Sequence, residues 1–599
     1  MARTSKFIAI HEQSRAYNRI KAKDILNFLY TDFIPYRDLE GFQTSLRAPS
    51  GKIINLEEDP TTTIGTALLR DNGKRVAIIA QNTPSNPEER TKLNYGLVKA
   101  DGYGLSLNML DYAEKNGLMV HTYIDTVGGD PFEYSSGKLQ SWLISYCQSK
   151  MISLSTKSIS IIIGSGGSGG AIAIQLAHRR FMLSRAEYSV ITAEGCSAIL
   201  FRNSDNVPEA LEVLQPSADY MLKYGIIDKI IKEPTLDKAD YKEKALQNIK
   251  KSLTKTIEEL EKTDVKYLQK NLIDKINQCG QITSNSEGYK AFAKKIKGWL
   301  SSYPFSRNTT QEVSHMQIAL YGAEPYFCND EKDPDGKVIR NGCKKHFTRE
   351  ELHDNYNSCP FCYKPNSIGS DDYLHLLLDT DSFHEIMPDL STENIDPKFS
   401  FMDYSETRKK MAMRTDSKES LVIGYGNIFN IPVAVAVSDF RYMGGSMGSA
   451  FGEKMKFIVD FAVEQKKPLI SICVSGGARM QEGTISLYQM AKTINAFLKM
   501  KSQNLPILSI LGHPTTGGAL ASYAVQGDVI IAEKKATIAF AGDRVVKLTS
   551  GGRGLDPEVM TSEFYAEEGG IHIVTERKQL KSLVSGMLKL TEWYKNTVN

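Results

Sequence analysis

PLISICVSGGARMQEGTISLYQM, residues Pro468–Met490, decides how this chain is read. The apolar run Leu469–Val474 predicts a buried strand, Ser475-Gly476-Gly477 a tight turn, and the residues beyond it an amphipathic helix. Glycines at such a turn carry no Cβ, so a bound group can approach the backbone N–H donors. A second pair, Gly517-Gly518, follows the apolar strand Leu505–Leu511 and lies 41 residues after Gly476. The first half of the chain repeats the device. Strand Leu118–Ile124 leads to Gly128-Gly129, and strand Ser158–Ile163 leads to Gly166-Gly167-Ser168-Gly169-Gly170, with Gly169 again 41 residues after Gly128. Both halves close alike, with GGAIAIQLAHRRFMLSRAEYSVITAEG at 169–195 and GGALASYAVQGDVIIAEKKATIAFAG at 517–542, as a duplicated α/β unit predicts.

Around this duplication the chain divides into stretches of different character. Residues 1–60 read as a polar N-terminal helical segment and 61–232 as the first α/β domain, with a hairpin at Asn72-Gly73 and a helix over Gly102–Lys115. Residues 233–310 form a Lys/Glu-rich helical arm ending in a linker at Ser301–Thr310. A cysteine module occupies 320–370, and 371–599 make the second α/β domain, with a hairpin over Leu421–Val437 and a helix over Gly448–Glu464. Hydrophobic content of 41% and charge of 24% are ordinary for a globular enzyme. A net charge of +3 supplies no broad basic field, which argues against a nucleic-acid partner. No apolar run approaches the ~20 residues of a membrane span. Met1–Lys23 lacks the apolar core of a secretory signal, so the expected compartment is the cytoplasm. Eight cysteines are too sparse for a disulfide scaffold.

Glycine turns at matched spacing point to oxyanion holes. Backbone amides entering a helix suit the charge of an enolate, and losing one such donor costs about 3 kcal/mol of barrier. Two other patterns overlap them. Gly164, Gly166 and Gly169 fit a dinucleotide fingerprint with Glu187 near the ribose position, but the twin segment at Gly517 lacks that spacing. Gly166–Gly170 and Gly444–Gly448 fit GxSxG, yet His178, His346 and His513 sit in no partner motif for a serine hydrolase. Cys328, Cys343 and the knuckle Cys359-Pro-Phe-Cys362 could close a tetrahedral structural zinc site. The long first gap reads as an inserted hairpin around Asp333-Pro334-Asp335-Gly336, and His346 is an alternative to Cys328 as ligand. Arg479 and Lys492 follow the main turn, placed either for ligand phosphates or for salt bridges. Cys147, Cys196, Cys279 and Cys473 read as small buried hydrophobes.

Several of these segments resemble a known family. SGGARMQEG at 475–483, YMGGSMGSAFGEK at 442–454, PTTGGALASYA at 514–524 and FAGDRVV at 540–546 are similar to the beta subunit of bacterial acetyl-CoA carboxylase carboxyltransferase. NYGLVKADGYGLSLNMLDYAEK at 94–115, GSGGSGGAIAI at 164–174 and YSVITAEGCSAILF at 188–201 are similar to its alpha subunit. The chain thus resembles an alpha–beta fusion over roughly 20–260 and 320–595. It departs from the family at Val127-Gly128-Gly129, in the wide spacing of Cys328 and Cys343, and at Asp543-Arg544.

The resemblance implies an α/β architecture of two crotonase-like domains, each a ββα spiral, with a small zinc ribbon between them. It implies transfer of carboxylate from carboxybiotin to acetyl-CoA, giving malonyl-CoA for fatty acid biosynthesis. By resemblance, Gly476 and Gly477 face the thioester oxygen, and either Gly166-Gly167 or Gly169-Gly170 the biotin oxygen. Arg479, Gly444 and Gly445 would line the cleft for CoA and biotin, while Gly128-Gly129 and Gly517-Gly518 would be remnants of the repeat. No biotinylation motif or ATP-binding carboxylase segment is recognisable. A separate biotin carboxyl carrier protein and biotin carboxylase are therefore the expected partners, with a homo-oligomer of at least two chains. The rival readings are a biotin-independent crotonase-like decarboxylase or hydrolase of CoA thioesters, and a non-catalytic zinc-ribbon scaffold.

Overall fold

In the first half, helix Ala2–Arg15 (α1) precedes Tyr30–Pro35 (β1), which pairs antiparallel with Thr62–Leu69 (β2). The hairpin turn at Asn72-Gly73, with Gly73 at φ +68, returns the chain as Arg75–Gln81 (β3). Helix Ala100–Lys115 (α2) then crosses to Met119–Thr126 (β4), and Gln140–Ser153 (α3) to Ser158–Gly167 (β5), both strands joining in parallel. Ser168–Gln175 (α4) leads to Arg179–Leu183 (β6), short Glu187–Ser189 (β7) pairs with the end of β5, and Lys229–Ile231 (β8) closes the sheet. This eight-stranded sheet runs β1-β2-β3-β4-β5-β6-β8, with β7 on β5. The computed structural model describes residues 2–203, 205–281, 326–332, 338–392, 404–542, 546–547, 554–591 and 593–594.

The N-terminal stretch is more than a helical segment, since β1 forms the sheet edge and Phe7, Ile20 and Ile25 are buried in the core. The Lys/Glu-rich stretch supplies Tyr241–Glu261 (α5) and Val265–Gln278 (α6), whose apolar stripes are buried. Leu268, Leu272 and Ile276 face inward, so α6 is packed rather than free in solvent. The rest of the expected arm and the linker at Ser301–Thr310 lie outside the described residues.

The second half repeats the plan. His384–Ile386 (β9), Leu421–Ile428 (β10) and Ile431–Ser438 (β11) are antiparallel, with β10 and β11 joined at Phe429-Asn430. Ser449–Glu464 (α7), Leu469–Ser475 (β12), Gly483–Lys501 (α8), Ile507–Thr516 (β13) and Gly517–Leu520 (α9) follow. Val529–Glu533 (β14), Ile538–Ala539 (β15) and Ile573–Thr575 (β16) complete a sheet ordered β9-β10-β11-β12-β13-β14-β16, with β15 on β13. These two mixed sheets are the expected pair of crotonase-like halves.

Helices α3 and α8, equivalent in the two halves, pack against each other and join the halves into one hydrophobic core. Tyr488 on α8 is fully buried; its hydroxyl donates to Gln175 and to the Ile226 carbonyl (3.0 Å). Gln148 Nε2 donates to the Ala521 carbonyl (3.0 Å) and Ser145 Oγ to the Ser522 carbonyl (2.9 Å), so the seam is hydrogen-bonded as well as apolar.

Candidate active site

Strand pairing aligns the two halves more finely than the glycines do. Thr126 sits opposite Gly166 as Ser475 sits opposite Thr515. Counting onward, Ser168 corresponds to Gly517, Gly169 to Gly518, and Gly128 to Gly477. The backbone agrees, with φ +50 at Ser168 and +62 at Gly517. Matching one glycine pair to the other by letter is therefore one residue out of register.

The same register reveals a repeated lock. Gly128 N–H donates to Thr126 Oγ1 (3.0 Å), and Thr126 Oγ1 donates to the Gly96 carbonyl (2.8 Å). Gly477 N–H donates to Ser475 Oγ (3.1 Å), and Ser475 Oγ donates to the Gly445 carbonyl (2.6 Å). Gly476 N–H is also occupied, by the Gly444 carbonyl at 2.8 Å. Moreover, α8 begins at Gly483, separated from the glycine pair by the short 3-10 turn Met480–Glu482. Gly476 and Gly477 therefore do not open a helix and have no free amide for an oxyanion, contrary to the expectation for them. Gly444 and Gly445 serve as carbonyl acceptors behind this turn.

Free amides lie one strand over. Gly169 and Gly518 occupy the second position of α4 and α9, where an N–H has no intrahelical acceptor. Neither amide donates a main-chain hydrogen bond among the described residues. Gly166 and Gly167 instead belong to β5 and pair with Tyr188 and Ser189, and a Cβ at Gly167 would fall 1.9 Å from the Val127 carbonyl oxygen. The two turns also meet within one chain. A Cβ at Gly169 would lie 3.9 Å from Met490 Cε, and one at Gly518 3.1 Å from Met490 Sδ.

Arg479 is not placed for ligand phosphates. It is 1% exposed, its guanidinium bonds both Glu419 oxygens and Ser420, and Nη1 lies 3.4 Å from Glu482 Oε1. Burial works against the Glu419 carboxylate, but Arg479 outweighs it and holds Glu419 below the usual range. Lys492 is likewise buried and paired with Glu453 at 2.7 Å.

Carboxylates flank the first turn. Buried Asp125 accepts from Arg19 Nη2 (2.6 Å), Thr83 Oγ1 (2.6 Å) and the Ser165 N–H (3.1 Å). Glu187 takes Ser165 Oγ at 3.1 Å and His11 Nδ1 at 2.8 Å. Burial opposes the charge on Asp125, while Arg19 and Lys21 hold it ionised. The sequence offered Glu187 only near a ribose-binding position and carried no signal for Asp125, because their cationic partners, His11 and Arg19, lie more than a hundred residues away.

The cysteine module holds its four sulfurs together. The Sγ atoms of Cys328, Cys343, Cys359 and Cys362 lie within 4.8 Å of one another, with Cys328–Cys362 and Cys343–Cys359 both at 3.7 Å. Tetrahedral zinc with Zn–S bonds of about 2.3 Å needs sulfur separations of about 3.8 Å, so the donor set fits that ion. His346 stands outside the group, its ring against Phe327. The wide first spacing is explained locally. Glu331–Lys332 and Val338–Arg340 pair antiparallel, and Lys344 N–H still reaches the Cys328 carbonyl at 3.0 Å. The insertion thus leaves the knuckle closed; its tip, Asp333 to Gly336, lies outside the described residues.

A family profile described as "Acetyl co-enzyme A carboxylase carboxyltransferase-like" matches residues 10–280, and one described as "Carboxyl transferase domain" matches 375–587. The acetyl-coenzyme A carboxylase carboxyl transferase subunit beta of Prochlorococcus marinus subsp. pastoris is 41% identical over 265 residues, 44% of this chain and 89% of that protein. The subunit of the same name from Clostridioides difficile is 37% identical over 295 residues, 49% of this chain and 99% of its own. The chain belongs to the acetyl-CoA carboxylase carboxyltransferase family. Among solved structures, the transcarboxylase 12S core aligns over 99% of this chain and 94% of its own at 14% identity, with a TM-score of 0.30, too loose to carry functional meaning. As a carboxyltransferase, this enzyme carries an alpha-like half before a beta-like half, and no described helix is long and apolar enough to cross a membrane.

Proposed function

We propose that this carboxyltransferase carries carboxylate from carboxybiotin to acetyl-CoA, yielding malonyl-CoA for fatty acid synthesis in the cytoplasm. The single observation behind the reading is the meeting of two equivalent turns at Gly169 and Gly518, both against Met490. Carboxybiotin arrives as a substrate on a separate biotin carboxyl carrier protein, charged by a separate biotin carboxylase. Its C–N bond breaks, its ureido nitrogen takes the thioester α-proton, and the new C–C bond forms at the α-carbon.

The residues of this chain position the two partners and hold negative charge. Amides at Gly517-Gly518 face the thioester oxygen, and those at Gly169-Gly170 the ureido oxygen. Both roles need donors fixed before the reaction, and the locks at Thr126 and Ser475 keep the neighbouring strand ends rigid. A zinc ion on the four cysteine thiolates would be structural, since all four tetrahedral positions are filled by protein. The chain would act as a homo-oligomer of at least two copies.

Two assays test the reading: steady-state carboxyl transfer from carboxybiotin to acetyl-, propionyl- and butyryl-CoA, and, in reverse, malonyl-CoA decarboxylation with and without biotin. Biotin-dependent turnover with acetyl-CoA preferred is the expected result. Thioester turnover that ignores biotin would overturn it in favour of a decarboxylase or hydrolase.

A further inference from the structure

Ser165 immediately precedes the Gly166–Gly170 run and is gripped by two buried carboxylates. Its N–H donates to Asp125 Oδ1 at 3.1 Å and its hydroxyl to Glu187 Oε1 at 3.1 Å. Both acids take their counter-charge from the first 21 residues. Arg19 Nη2 reaches Asp125 at 2.6 Å, His11 Nδ1 reaches Glu187 at 2.8 Å, and Arg15 Nε reaches Glu187 at 3.3 Å. Lys21 Nζ donates to Thr83 Oγ1, which in turn donates to Asp125. His11 and Arg15 also line a cleft with Thr126, Val127, Gly166 and Gly167.

We infer that residues 11–21 form a positioning clip that sets the first-half glycine turn, with His11 and Arg19 as its working members. The inference rests on the reading of Gly169-Gly170 as oxyanion donors. Glu187 opens β7, whose next two residues pair with Gly166 and Gly167. The clip therefore fixes the strand end that leads directly into the donor amides. A buried carboxylate stripped of its cation must move, take up a proton or draw in water. Each of these shifts Ser165, and with it the amides four and five residues on. Neither His11 nor Arg19 needs to touch a substrate for this.

The clip has a titratable part. The charged groups facing His11 are Glu187, Glu194 and Arg15. Burial and Arg15 disfavour the imidazolium, but the two carboxylates outweigh them and lift His11 to about 9. The grip is present at neutral pH and is released as pH rises through that value.

The test uses the full chain in the biotin-dependent transfer assay, with His11→Gln and the double variant Arg19→Met with Asp125→Asn. The double variant removes both buried charges together and so keeps the fold testable. In both variants kcat is expected to fall about ten- to hundredfold with KM for the thioester nearly unchanged, as misplacement of donors by a fraction of an ångström requires. His11→Gln should also abolish the alkaline limb of the kcat profile. Unchanged kcat, or KM rising in step with a lowered melting temperature and an unaltered pH profile, would overturn the clip. A wild-type chain with no biotin-dependent transfer would instead sink the functional reading on which it rests.

Discussion

In the second half the glycine turn is braced from within. Arg479 lies four residues after Ser475, and its guanidinium is buried against Glu419 and Glu482 of the same half. In the first half the equivalent residue is Asp130. The two match because Asp130 N–H donates to the Val98 carbonyl (2.8 Å) as Arg479 N–H donates to the Met447 carbonyl (2.9 Å). Asp130 is an acid bonded to Ser135 Oγ at 2.6 Å, and the cations bracing that turn come from the N-terminal segment. One backbone geometry is therefore held by opposite charge arrangements. Duplication preserves the main-chain path, because sheet pairing and glycine contacts fix it, while the side chains behind it are free to exchange roles.

Among the described residues one four-cysteine cluster stands ahead of the beta-like half and none in the alpha-like half, so stripping a bound metal from it should give the largest asymmetry. Chelation should release zinc and forfeit on the order of 10 kcal/mol of metal-binding free energy. Hydrogen exchange should then rise across 326–368 while the first-half sheet stays protected; equal loosening of both halves would remove the contrast. Next in size, Arg479→Met leaves Glu419 and Glu482 buried without their cation. It should cost about 3–5 kcal/mol, read as a lowered denaturant midpoint.

The correction to the glycine roles gives a paired test. Gly518→Pro deletes a free amide in the first turn of α9, where no intrahelical bond is lost, and should lower kcat by about a hundredfold or more. Gly476→Ala, whose new Cβ would meet nothing nearer than the Gly444 carbonyl oxygen at 3.5 Å, should leave kcat within about twofold. The reverse outcome would restore Gly476-Gly477 as donors.

A further contrast is pH-dependent. Burial pushes His121 down to about 3 and, with help from Arg179, His178 down to about 4, both in the first half. Their folded values lie below the unfolded value near 6.5, so the unfolded chain takes up protons first. Their stability is complete above about pH 6.5 and is lost as pH falls towards 4, by about 1.4 kcal/mol per pH unit for each. His572 moves in the same direction in the second half but is only partly buried. Calorimetry between pH 7 and 4.5 should show the first half loosening first, and a uniform loss would refute the assignment.

Much of the fold was legible because period and punctuation carried it. The apolar strand Leu469–Val474, the hairpin at Asn72-Gly73 and the 41-residue spacing all reflect local backbone preferences. The four-cysteine cluster was legible because thiolates at knuckle spacing have few other uses. The choice among glycine pairs was not. Gly476-Gly477 and Gly517-Gly518 look alike in sequence, and only the hydrogen bonds to Gly444 and Ser475 separate occupied amides from free ones.

By itself, then, the sequence determined the duplicated α/β plan, the family and the four-cysteine cluster, since each depends on residues close together in the chain. Tertiary structure alone decided which amides are free, that Arg479 is sealed in the core, and that the N-terminal cations reach Asp125 and Glu187. Those outcomes depend on contacts between residues tens to hundreds of positions apart. Their energies come from burial and pairing, and no local pattern encodes them.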